Sequence, residues 1–91
     1  MNPERAGYLY LKVISPSALL LEAEVSEVQV PGLDGYLGIW PGHRPLNAGL
    51  AEGEIIYRLA SGQAGTLKIK GGLVTVENDK IIVLTGMNHD D

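Results

Sequence analysis

Along most of the chain apolar residues recur at every second position rather than at helical spacing, and turn residues arrive at short intervals. A period of two is the signature of strands with one buried and one wet face. Residues 8–14 carry Leu9, Leu11 and Val13 on one face, and Ser15-Pro16-Ser17 ends that strand. A second short strand is predicted over 18–22 and a third over 25–30, where Val28 and Val30 alternate with Glu27 and Gln29 until Pro31 stops the run. Residues 46–50 and 54–60 make two more, separated by Ala51-Glu52-Gly53. Residues 61–65 then turn into 66–70, with Leu67 and Ile69 inward and Thr66, Lys68 and Lys70 outward. Gly71-Gly72 permits a bulge or a close backbone crossing, residues 73–77 follow, Asn78-Asp79 supplies a tight reversal, and 81–85 closes the domain. The one helix-like stretch, 19–24, is too short to stand alone. The pattern predicts an all-β fold, a two-sheet β-sandwich or flattened barrel of about 8–10 short strands. Residues 1–86 form the domain and 87–91 a polar tail.

Two runs, Ile55-Ile56-Tyr57 and Ile81-Ile82-Val83-Leu84, are apolar on both faces, more than a sheet with one wet side needs. A second layer or a partner covers them. The outward positions of these strands, Ile56, Leu73, Ile81 and Val83, are the candidates for an apolar docking patch.

Residues 31–46 break the alternation: seven of the sixteen are Gly or Pro, with glycine at 32, 35 and 38 and then Pro41-Gly42-His43-Arg44-Pro45-Leu46. Gly raises the entropic cost of ordering and Pro removes a donor, so the segment is predicted to be a shaped surface loop. It is not a phosphate cradle, because no helix begins after it and no Gly-Lys-Ser/Thr follows. Trp40, the one tryptophan, has an apolar body and a single donor that suit either the core or an interface anchor.

Composition narrows the function. Ninety-one residues make one domain with little room for a deep cleft, and the absence of cysteine excludes disulfide staples and thiolate chemistry. A net charge of -4 with scattered basic residues argues against a nucleic-acid partner. No long apolar run supports a signal peptide or direct membrane insertion. His43 has no second histidine or cysteine nearby, and His89-Asp90-Asp91 reads as a polar terminus, so no metal site is expected. No catalytic constellation and no cofactor site emerge from the motifs.

The glycine loop with its Pro-Gly-His-x-Pro-Leu end resembles the N-terminal domain of the epsilon subunit of F-type ATP synthase. Three further landmarks support the likeness: Leu11-Lys12-Val13-Ile14-Ser15-Pro16, Glu27-Val28-Gln29-Val30-Pro31-Gly32, and Gly71-Gly72-Leu73-Val74-Thr75-Val76-Glu77-Asn78 with Val83-Leu84. The resemblance implies a non-catalytic rotor domain that packs on the gamma subunit and the polar loops of the c-ring. That domain would couple proton-driven rotation to ATP synthesis and lie peripherally on the cytoplasmic face of the bacterial inner membrane. It further implies contact with the c-ring through the loops around Asp34, Gly35 and Tyr36 and around Gly42, His43, Arg44, Pro45 and Leu46, with the apolar candidates Ile56, Leu73, Ile81 and Val83 facing gamma. The family's C-terminal helical hairpin has no counterpart in these residues, so no ATP binding is expected. The alternative is a free-standing β-sandwich that binds carbohydrate or another small ligand through exposed aromatics among Tyr8, Tyr10, Tyr36 and Trp40.

Overall fold

The computed structural model describes residues 7–86; the polar tail 87–91, with its His-Asp-Asp end, lies outside the described residues. Six strands follow in order: β1 (Leu9–Ile14), β2 (Leu19–Gly32), β3 (Gly35–Ile39), β4 (Leu46–Leu59), β5 (Ala64–Glu77) and β6 (Lys80–Thr85). They pair in the order β1-β6-β5-β4-β2-β3, and an additional β1–β2 pairing closes five of them into a barrel with β3 appended to β2. All pairings are antiparallel except β1–β6.

The predicted short strands and the six observed ones describe the same polypeptide path. β2, β4 and β5 run 14 residues each and change neighbours midway. The first half of β2 pairs with β1, and its second half pairs with β4 and β3. Likewise β5 gives its first half to β4 alone, and its second half lies between β4 and β6. The barrel is therefore flattened into two sheets. Sheet I holds β1, β6, the second half of β5 and the first halves of β4 and β2; sheet II holds β3 with the remaining halves.

Glycine permits the bends. Gly71 and Gly72 have φ of 89° and 142°, in the region that L side chains rarely adopt, and a Cβ on Gly72 would collide with the carbonyl of Leu84. Thr85 Oγ1 donates to the Gly71 carbonyl at 2.7 Å, fixing the corner from the neighbouring strand. On β2 the register with β4 shifts between Gln29 and Gly32, so the ladder is interrupted opposite the middle of β4.

The core is the inward-facing set. Leu9, Leu11 and Val13 of β1 meet Ile81 and Val83 of β6 and Val74 and Val76 of β5, while Val28, Val30, Ile39, Ile55 and Ile69 line sheet II. Each such side chain contributes about 1.5–3 kcal/mol of burial, set against the entropy of ordering the chain. No buried side-chain nitrogen or oxygen lacks a partner among the described residues.

Two expectations change. Residues 35–39 form strand β3 inside the segment read as a loop, because Tyr36, Leu37 and Ile39 supply enough strand character to pair with β2. Ile81 and Val83 do not face outward. Both are 0% exposed, whereas Ile82 between them is 39% exposed. Four apolar residues in a row leave the facing of a strand open, and the pairs Leu11↔Ile81 and Val13↔Val83 set it.

Candidate partner-binding surface

The two rim segments expected to act together lie at opposite ends of β3. Leu33 and Asp34 form the β2–β3 turn, closed by the Gly32↔Gly35 pair, with Gly35 at φ 126° and Asp34 exposed at the tip. Tyr36 folds back across the interruption in the β2–β4 ladder. Its hydroxyl donates to the Glu54 carbonyl at 2.9 Å and accepts from the Glu54 N–H at 3.2 Å, standing in for the missing strand partner.

At the far end, roughly 13 Å of strand away, residues 40–45 form a loop held at several points. The Gly42 N–H, at φ 85°, donates to Asp79 Oδ1 at 2.7 Å, and the His43 N–H donates to the Trp40 carbonyl at 3.1 Å. His43 Nδ1 lies 2.7 Å from the Arg44 carbonyl, which only accepts, so Nδ1 carries the proton in that contact. Among the described residues no group of three metal-ligating side chains exists. Arg44 and Pro45 are exposed, and Leu46 begins β4 half-buried.

Trp40 is a surface residue, 53% exposed. Its ring lies over Gly38, where a Cβ would meet it, and its Nε1–H donates to Glu27 Oε1 at 3.1 Å. Glu27 Oε2 also faces Arg58 Nε at 3.5 Å. Neither the Tyr36 hydroxyl nor the Trp40 N–H is left free to meet a sugar, and Tyr10 sits on β1, with Tyr8 just before it, a strand that shares no pairing with β3.

The candidate docking positions also separate. Ile56 pairs with Gln29 and Thr66 on the outside of sheet II, while Leu73 pairs with Gly49 and Leu84 on the outside of sheet I. On that second face an apolar row runs across the strands. The pairs Gly49↔Leu73, Leu73↔Leu84 and Leu84↔Ile14 align side chains, exposed Leu19 partners Ile14 just past a register shift in the β1–β2 ladder, and Leu33 lies over Gly49 at the other end. Leu33, Leu73 and Leu19 are 69%, 55% and 53% exposed, and no charge interrupts the row. The next row, Asn47, Thr75, Ile82, Lys12 and Glu22, is mixed. Sequence reading missed Leu33, Leu84, Ile14 and Leu19; the available signal was Gly49, a strand glycine that admits a close neighbour.

A closed, bent barrel of this topology with this glycine-rich edge has known counterparts. The family described as "ATP synthase, Delta/Epsilon chain, beta-sandwich domain" matches residues 8–87. The chain belongs to this family. It is 37% identical over 75 residues to the ATP synthase epsilon chain of Chlorobium limicola, covering 82% of this chain and 85% of that protein. Identity to ATP synthase epsilon chain 2 of Syntrophotalea carbinolica is 40% over 79 residues, covering 87% of this chain and 56% of that protein. The chain thus spans about half the length of several relatives it matches. Among solved structures, a chain of the Euglena gracilis mitochondrial ATP synthase (OSCP/F1/c-ring) superposes with a TM-score of 0.81 at 20% identity, covering 87% of this chain and 51% of that one. A chain of the Tetrahymena thermophila mitochondrial ATP synthase central stalk/c-ring gives 0.71 at 16% identity, covering 88% and 63%. At those identities the structures establish the fold. Within this delta/epsilon family the sequence relatives place the chain with the epsilon type, a non-catalytic subunit. No helix among the described residues is long and apolar enough to cross a membrane.

Proposed function

We propose that this domain is a rigid coupling piece of the ATP synthase rotor that grips the gamma subunit and the c-ring and passes rotation between them, peripheral to the cytoplasmic face of the bacterial inner membrane. The observation that carries the reading is the charge-free row Leu33, Leu73, Leu84, Ile14 and Leu19 on the outside of sheet I. An exposed apolar row on so small a barrel marks a surface that another protein covers. Gamma takes this row together with the adjoining Asp34–Tyr36 turn, and the c-ring takes the Gly42–Leu46 loop, which is pinned by Asp79 and so presents a fixed shape. Ile56, Ile81 and Val83 are outside this contact: Ile56 faces the opposite way and the other two are core. A closed barrel resists shear because its sheet hydrogen bonds must break together, and a stiff joint transmits rotation instead of storing it.

The test is a synthase reconstituted with and without the chain in proteoliposomes. ATP-driven proton pumping per ATP hydrolysed is expected to fall without it and recover on its addition. Pumping that is indifferent to the chain would contradict the reading.

A further inference from the structure

We propose that β3 is a docking edge that takes an extended strand of the subunit covering the apolar row, adding a strand to sheet II. The proposal rests on the gamma-binding reading above and names how the contact is made.

Pro31 has no N–H, so the Pro31↔Tyr36 pair cannot be hydrogen-bonded from that side, and the closing pair Gly32↔Gly35 is the bonded one. Antiparallel ladders alternate, which makes Gln29↔Gly38 a non-bonded pair as well. The N–H and C=O groups of Tyr36 and Gly38 therefore point away from β2, and among the described residues no strand pairs on that side of β3.

Native sheets guard such edges with charges, lysine above all, with bulges or with covering side chains. Here the first half of β5 has a free side and carries exposed Lys68 and Lys70; the first half of β2 has one and carries exposed Glu22 and Glu24. No charge occurs from Gly35 at the start of β3 to Pro41 beyond its end, and the strand has no register shift. The two large aromatic side chains that would otherwise screen the edge, Tyr36 on β3 and Trp40 just past its end, are drawn back over the sheet: Tyr36 to the backbone of Glu54, Trp40 to Glu27. The edge backbone is left open while the rings form its flanks.

Only another extended strand satisfies the alternating donors and acceptors of an open edge, so a helix does not fit this contact. One face of the incoming strand would meet half-buried Leu37, and the other would run between Tyr36 and Trp40, which favours alternating apolar residues with a small one opposite Gly38. The row on sheet I ends at Leu33, two residues before β3 begins, so a single partner reaches both surfaces continuously.

Amide hydrogen exchange of the chain, alone and in complex with gamma, tests this directly. The Tyr36 and Gly38 amides are expected to exchange freely alone and to gain protection of at least about tenfold in the complex. Paired variants give a second readout: Tyr36→Ala and Tyr36→Pro lose the same ring and hydroxyl, but only proline removes the edge N–H, and Tyr36→Pro should bind gamma about tenfold more weakly than Tyr36→Ala. A complex that forms with both amides still exchanging freely would overturn the edge contact and leave gamma binding standing. Failure of the folded wild-type chain to bind gamma would overturn both.

Discussion

At Gly72 the backbone φ is 142° and a Cβ would run into the Leu84 carbonyl, whereas Gly62, at φ 102°, has open space around it. Both positions disfavour a side chain, but only the first adds a backbone collision. Gly72→Ala should lose more than about 3 kcal/mol or fail to fold, and Gly62→Ala about 1–2 kcal/mol, measured by urea denaturation. Tyr36 is a subtler case. It was legible as a surface residue of the glycine-rich segment, but its bond to Glu54 depends on an interrupted ladder that no local pattern announces. Tyr36→Phe should cost about 1 kcal/mol in the same assay, since it removes one donor and one acceptor from a partly solvated site. No change would mean that water replaces the hydroxyl fully.

Among the elements, alternation identified the inward faces of β1 and β2, with Leu9, Leu11, Val13, Val28 and Val30 all buried. It failed on β6, where four consecutive apolar residues carry no phase and the register with β1 decides. Ile81→Ala should therefore cost about 2–5 kcal/mol, while Ile82→Ala stays within about 1 kcal/mol. Equal losses in thermal or urea unfolding would refute the assigned facing. β3 was hidden for a different reason: glycines at 35 and 38 lower strand propensity, and pairing with β2 overrides it. The 14-residue strands were read in pieces because the residues at their bends, among them Gly53, Gly71 and Gly72, are the same ones that end strands elsewhere. The pieces nevertheless match the half-strands of the two sheets.

For the molecule as a whole, the class of fold and the family were legible in the motifs, because turn glycines and prolines sit at fixed places in a small barrel. The exposed apolar row proposed to face a partner was not. That depends on cross-strand neighbours such as Gly49, Leu73, Leu84 and Ile14, distant in sequence and aligned only by register. The expected patch mixed core residues with residues from two opposite faces, and the observed row lies on one. The most direct measurement is the affinity of gamma for a Leu19→Asp, Leu73→Asp variant, both sites being exposed enough to leave folding intact, beside Ile56→Asp on the other face as a control. The double variant is predicted to bind at least about thirtyfold more weakly, with the control unchanged. Native affinity in the folded double variant, or a comparable loss in the control, would contradict the assignment of the gamma-binding face.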